Sequence, residues 1–200
     1  MAIKFIPPAE IEAAADSFRR EWDPAETIPV PILEVVELKL KLNVVPVLGL
    51  MRDHNVDSFL TRDLHDLVID QEIYMYQENR ARFSFAHEVG HLVIHSDYLK
   101  SLKIDSIEAW KQEVLGKGSG HAPMETQANM FASFLLMPTT FLKEEFEKQK
   151  KFVSDHPLFK QTKAIDDRAL AQYVAKPVAK RFGVSEEAAN IRLQNWLGGR

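Results

Sequence analysis

Cysteine is absent from all 200 residues, which excludes disulfides and thiolate metal ligands alike. Any metal must then be held by His, Asp or Glu, and thiol chemistry says nothing of compartment. No run of about 18 apolar residues occurs, so no membrane-spanning helix is expected. The first residues, Met1-Ala2-Ile3-Lys4-Phe5-Ile6-Pro7-Pro8, lack the apolar core and small-residue cleavage site of a signal peptide, which makes a cytoplasmic protein the expectation. Excess charge is lacking as well. A net charge of −4 and a pI near 6.0 give no general drive toward nucleic acid or anionic membrane. What is present, 46% hydrophobic against 27% charged residues, suffices for a sizeable globular core and argues against disorder.

Seven histidines and 17 glutamates are spread over the chain, and two of the histidines bracket a glutamate in His87-Glu88-Val89-Gly90-His91. Random order gives about 0.02 occurrences of His-Glu-x-x-His at this composition. On a helix, His87 and His91 lie about 40° apart on one face, and Glu88 projects about 60° beyond His91. Both imidazoles can reach one metal ion. Phe85, Val89, Leu92 and Val93 occupy the opposite face while Phe83, Gly90 and Ile94 flank the motif, so the polar strip is itself expected to be buried. Burial of such a strip without a metal or full hydrogen bonding costs several kcal/mol, on the order of the penalty for unpaired polar groups. An ordinary core helix with satisfied histidines is the weaker reading. A zinc ion with three protein ligands keeps a fourth position for water and needs a neighbouring carboxylate to take the proton, the role Glu88 is placed for.

Elsewhere the pattern alternates short helices and strands. Ile11, Ala14, Ala15 and Phe18 predict a first helix over residues 9–22, ended by Asp23-Pro24. Ile32, Val35, Val36 and Leu38 predict a second, passing near Asn43 into extended Val44-Val45-Pro46-Val47. Ser58-Phe59-Leu60-Thr61 and Asp66-Leu67-Val68-Ile69-Asp70 read as two more strands, making a small three-stranded sheet. Residues 71–78 lead into the motif helix, which starts near Glu78 or Asn79. A helical piece over residues 107–115 and a Gly-rich connection over residues 116–120 follow.

The helix predicted from His121 to Met137 places Glu125, Asn129, Leu136, Ala132 and Ala128 on one side. Small alanines let two helices approach closely, which Glu125 needs to reach the same ion; Asn129 can then orient an imidazole. A first-turn acid favoured by the helix dipole is the plainer alternative for Glu125. His95 lies two turns beyond His87, about 11 Å of rise, too far to share one ion with both other histidines. His121 sits at the helix edge, so the metal is expected to survive loss of either. Tyr74, Tyr76, Tyr98, His95 and His121 are all near enough to be donors to an oxyanion, and spacing does not choose among them.

Two blocks, Arg82-Phe83-Ser84-Phe85-Ala86-His87-Glu88-Val89-Gly90-His91-Leu92-Val93-Ile94-His95 and Glu125-Thr126-Gln127-Ala128-Asn129-Met130-Phe131-Ala132-Ser133-Phe134-Leu135-Leu136-Met137-Pro138, together resemble the ImmA/IrrE-type zinc metallopeptidases. The resemblance spans roughly residues 31–138. It implies a thermolysin-like (gluzincin) zincin-like α+β fold with His87, His91 and Glu125 on one zinc and Glu88 catalytic. It also implies a role in stress responses or mobile elements through control of helix-turn-helix repressors. Thermolysin-like enzymes often carry Asp where this chain has Asn129, a neutral orienter.

After Pro138 a charged helix is predicted over residues 139–151, with Phe141, Leu142 and Phe146 inward. His156-Pro157 marks the expected boundary between a peptidase-like domain, residues 1–156, and a helical, helix-turn-helix-like segment, residues 157–200. That segment carries eight Lys/Arg against four Asp/Glu, so it is basic while the body is acidic. Residues 169–176 and 177–182 read as helical, Gly183 suits a C-terminal cap, and Ser185 suits the N-cap of a helix over residues 186–197. Asn190, Arg192, Gln194 and Asn195 could meet DNA. Glu186 and Glu187 would repel phosphate at the end that normally enters the groove, which favours a structural or partner-binding role. Two functions are consistent with these features: an endopeptidase acting on a protein such as a repressor, and a non-proteolytic regulator that uses the same fold to bind protein or DNA.

Overall fold

The computed structural model describes residues 4–61, 63–101, 121–156 and 166–199. The helical piece and Gly-rich connection expected over residues 107–120 lie outside these, as does Pro157. Two compact units are present, residues 1–135 and residues 136–200. The second therefore begins at the end of the Glu125-bearing helix, ahead of the His156-Pro157 boundary.

In the first unit α1 (Pro8–Trp22) starts with proline, whose missing N–H costs nothing at that position, and buries Ile11, Ala15 and Phe18. It stops at Asp23, whose carboxylate accepts from Thr27 N (2.8 Å) and Thr27 Oγ1 (3.0 Å). The second predicted helix is a short α2 (Ile32–Glu34) that widens into a π-turn, Val35–Lys39. Ile32, Val35 and Val36 are buried, whereas Leu38, one of the apolar positions from which the helix is predicted, is exposed. The wider turn rotates it outward.

All three predicted strands form, as β1 (Asn43–Val47), β2 (Ser58–Leu60) and β3 (Asp66–Asp70). A short α3 (Leu50–His54), which the sequence pattern had not announced, intervenes between β1 and β2. The order is β1-β3-β2: β1 runs parallel to β3 with Asn43 opposite Asp66, and β2 runs antiparallel to it with Phe59 opposite Val68. Central β3 buries Leu67 and Ile69 on one face and Val68 and Asp70 on the other, as a strand covered on both faces must. The architecture of this unit is thus helix-rich α+β around a small three-stranded sheet.

Asp70 ends β3 and begins α4 (Gln71–Tyr76). Its Oδ1 accepts from Glu72 N (2.9 Å) and Ile73 N (3.1 Å), and its Oδ2 accepts from Met51 N (2.9 Å). Burial pushes this carboxyl's pKa up, but the N–H groups of Met51, Ile73 and Glu72 together outweigh that and hold it below the usual carboxylate range. Asp70→Ala leaves those donors unpaired next to the core and is expected to cost about 2 to 4 kcal/mol, read as a lowered urea midpoint at unchanged slope. Because the folded-state pKa is depressed, the wild-type advantage over Asp70→Asn is full above about pH 4, near the unfolded value, and fades as pH falls through the lower folded value. An advantage that grows on acidification would contradict this role.

Gln77, at φ −125° and ψ 62°, breaks the chain between α4 and α5 (Glu78–Ile94). α5 starts at Glu78, one of the two positions read from sequence. It is pinned at its start by Arg80, which donates to both carboxylate oxygens of Asp57 (2.7 and 2.8 Å), and by Arg82, which donates to Val30 O at 2.8 Å. α6 (Ser96–Ser101) follows, and α7 (His121–Leu136) carries the second block. α1 meets α7 through an edge-on contact of Phe18 and Phe131, ring centres 6.2 Å apart.

The second unit contains α8 (Thr139–Asp155), α9 (Asp167–Phe182) and α10 (Glu186–Gly198). The two helical pieces expected around Pro177 are one continuous helix. Proline forgoes only the bond to the carbonyl of Tyr173, a residue on the exposed side of α9. Gly183 ends α9 with φ 63°, a left-handed conformation that favours glycine, and Ser185 Oγ accepts from Ala188 N at 3.1 Å to start α10. Buried Glu145 on α8 receives Arg181 of α9 at 2.6 Å. Burial raises the Glu145 pKa, but Gln149, Arg181 and Lys148 together hold it below the usual range.

Candidate metal centre

Placement of the motif side chains follows from how α5 and α7 meet. Gly90 faces α7 so closely that a Cβ there would lie 3.2 Å from Ala128 O and 3.2 Å from Phe131 Cβ. The absent side chain and the fully buried alanines Ala128 and Ala132 let the two helices approach. The approach brings Glu125 against the histidines. His87 Nε2 lies 3.0 Å from Glu125 Oε2, His91 Nε2 lies 3.2 Å from Glu125 Oε1, and the two Nε2 atoms are 2.9 Å apart. Ligand atoms of all three residues fall within 4.8 Å of one another.

This convergence suits one metal ion. Ligands arranged tetrahedrally at about 2.0–2.1 Å from zinc stand about 3.3–3.4 Å apart, close to the separations seen, and two imidazoles with one carboxylate are a catalytic zinc donor set. Burial would push Glu125 up, but hydrogen bonds from His87 and His91 hold its carboxyl far below the usual range. Burial lowers His87, yet its hydrogen bond to Glu125, with the nearby charge of Glu88, leaves it raised. The site is polarised to hold one negative group between two imidazoles.

The other residues singled out from sequence sort plainly. Asn129 Oδ1 lies 2.9 Å from His87 Nδ1. Glu88 is buried beside the cluster, and its Oε1 accepts from Ser58 Oγ at 2.7 Å. Tyr74 stacks edge-on against Phe85 with ring centres 6.2 Å apart, and Tyr76 projects into solvent. Neither tyrosine, nor Tyr98, lines the cleft at the cluster. The His121 side chain lies outside what the structure describes. That cleft, about 450 Å³, is bounded by β2 and the preceding turn on one side and by His87, Glu88, Glu125 and Asn129 on the other.

Sequence reasoning missed Ser58 and His54, which also lines the cleft. It also excluded His95 as a ligand and kept it only among the possible oxyanion donors. His95 is too far along α5 to join the cluster, as its rise requires, but its Nδ1 lies 3.1 Å from His91 Nδ1 and its Nε2 lies 2.9 Å from Gln127 Oε1. The signal was there in the four-residue step from His91 to His95, which repeats the step from His87 to His91. For Ser58 and His54 no comparable local signal exists, since only the folding of β2 and α3 against the cleft places them there.

The sequence profile of the IrrE N-terminal-like domain, peptidase M78, matches residues 75–194. The chain belongs to the peptidase M78 family. The matched stretch begins just before α5 and runs through most of α10, so the family profile includes the C-terminal helices that sequence reading set apart. A metallopeptidase-type domain is thereby identified, with a cluster able to bind a metal. No curated protein matches this peptidase M78 member. Among solved structures its fold is similar to that of a Mycobacterium tuberculosis transcriptional regulator, with a TM-score of 0.53 at 17% identity over 90% of this chain. The chain spans 45% of that regulator's length. Among the described residues no helix is long and apolar enough to cross a membrane.

Proposed function

We propose that this peptidase M78 protein is a zinc-dependent endopeptidase of zincin-like architecture. His87, His91 and Glu125 hold one zinc ion, Glu88 is the general base, and Asn129 orients His87. The observation that carries this reading is the meeting of two imidazole nitrogens and a carboxylate at one point, with a second buried carboxylate alongside, in an open cleft. Bound there, the ion supplies Lewis acidity, lowering the pKa of a water to about 7 and polarising the scissile carbonyl. Glu88 takes the water's proton on a carboxylate oxygen as the water oxygen attacks the carbonyl carbon. It then delivers that proton to the amide nitrogen as the C–N bond breaks. Ser58 occupies Oε1 of Glu88, which leaves Oε2 for the proton.

The substrate is a protein segment that enters the cleft extended, and the family resemblance points to a helix-turn-helix repressor in the cytoplasm. The similarity in fold to a transcriptional regulator agrees with that setting. In this reading residues 1–156 carry the peptidase, and residues 157–200 form a helix-turn-helix-like segment that serves structure or partner binding rather than DNA readout. Two of its candidate base-reading side chains are already committed: Arg192 is buried and donates to Thr139 Oγ1 at 2.6 Å, and Gln194 donates to Arg168 O at 2.9 Å. Single-turnover incubation with repressors encoded beside this protein is expected to yield one discrete cut in an exposed segment, abolished by chelation. Intact repressors in every case would instead favour a regulator that binds without cleaving.

A further inference from the structure

From His91, one member of the cluster, a line of polar contacts runs away through two side chains that the proposed hydrolysis does not use, His95 and Gln127. From His91 Nδ1 it runs to His95 Nδ1 (3.1 Å), from His95 Nε2 to Gln127 Oε1 (2.9 Å), and from Gln127 Nε2 to the carbonyl of Lys4 (3.1 Å). His91, His95 and Gln127 are all buried, the two histidines being 4 to 6% exposed as whole residues. Both bonds made by His95 are buried away from water, so the proton positions at His91 and His95 are mutually determined.

The assignment starts at the far end. A backbone carbonyl only accepts, so the Gln127 carboxamide must turn its NH2 to Lys4 O, which leaves its Oε1 as an acceptor. His95 must then carry a proton on Nε2 to donate to that oxygen. A neutral imidazole protonated on Nε2 has a bare lone pair on Nδ1, and that atom faces His91 Nδ1. His91 therefore keeps a proton on Nδ1, which leaves Nε2, the atom facing Glu125 and His87, as the nitrogen that gives up its proton when a metal binds. We infer that His95, set by Gln127 and the Lys4 carbonyl, is a positioning residue that fixes the His91 tautomer so that the Nε2 lone pair faces the metal position. The mirror arrangement at His87 is made by Asn129 Oδ1, so each imidazole of the pair has its own anchor, one amide and one imidazole.

This inference deepens the zinc reading and rests on it for its consequence, but the proton positions can be measured without the metal. Long-range 1H–15N spectra of the metal-free protein are expected to show a protonated, pyrrole-like Nδ1 on His91. For His95 they should show a protonated Nε2 with a pyridine-like Nδ1. A pyridine-like Nδ1 on His91, or a protonated Nδ1 on His95, overturns the inference. The second arm compares zinc affinity by chelator competition. His95→Phe fills the same space with no acceptor and is expected to weaken binding about 10- to 100-fold, the range for lost ligand orientation. His95→Gln can accept from His91 and donate to Gln127, and should recover affinity to within about threefold of wild type. Equal affinity of folded His95→Phe and wild type would also overturn it. Should His95→Phe fail to fold, the wild-type spectra and the Gln variant still decide. Wild-type protein that binds no zinc would sink the metal reading while leaving the proton positions to the spectra.

Discussion

Replacing Glu125 with alanine is expected to lower zinc affinity by more than about a hundredfold, beyond the loss typical of a residue that only orients a ligand, and to abolish hydrolysis. Two imidazoles from adjacent turns of α5 remain in place, but they supply only two of the three protein donors a catalytic zinc uses. The carboxylate also carries the compensating charge: each of its oxygens faces one Nε2, at 3.0 and 3.2 Å. Metal analysis after dialysis, together with competition against a chelator of known affinity, reads the loss directly. Stoichiometric zinc in Glu125→Ala, with metal lost instead from His121→Ala, would show that the third ligand is the wrong residue. Circular dichroism should remain that of wild type, because Glu125 lies at the open cleft and the helix contact is made by Gly90, Ala128 and Phe131.

The second large effect separates chemistry from binding. Glu88→Gln preserves shape, and its amide oxygen can still accept from Ser58 Oγ, so the variant is expected to hold zinc at wild-type occupancy. It cannot take a proton from water. Hydrolysis should therefore fall by about 10²- to 10⁴-fold, the range for loss of a general base. Single-turnover cleavage at matched zinc content is the proper measurement, since it removes differences in metal loading and product release. Comparable rates for the two proteins would refute the role.

Much of the local structure could be read from the chain because polar or turn-forming residues bracket the segments. Asp66 and Asp70 bound an apolar run that proved to be β3, and Gly183 and Ser185 marked the joint between α9 and α10. The convergence of His87, His91 and Glu125 was legible for a related reason, since helical spacing fixes a face before the fold is known. What the sequence withheld depends on non-local placement. The β1-β3-β2 order decides that Ser58 arrives at Glu88, and nothing within a few residues of Ser58 records that order. The His95 contacts were obscured differently. A test of whether a third histidine could reach the ion was the wrong question, because His95 reaches His91 on its other nitrogen. At Leu38 a single π-turn overrode the apolar periodicity.

Gly90 touches neither the histidines' ring nitrogens nor the carboxylate, yet it works as the gauge block of the centre. A zinc–ligand bond of about 2 Å tolerates an error of only about 0.2 Å, while a single methyl group inserted between two helices separates them by more than that. With a carbonyl oxygen and a ring already 3.2 Å from where that methyl would stand, the bite between α5 and α7 is set by the bare Gly90 backbone against the Ala128 carbonyl and the fully buried Phe131 side chain rather than by exposed, flexible side chains. The dimension that matters most to the metal is therefore held by the atom group least able to vary.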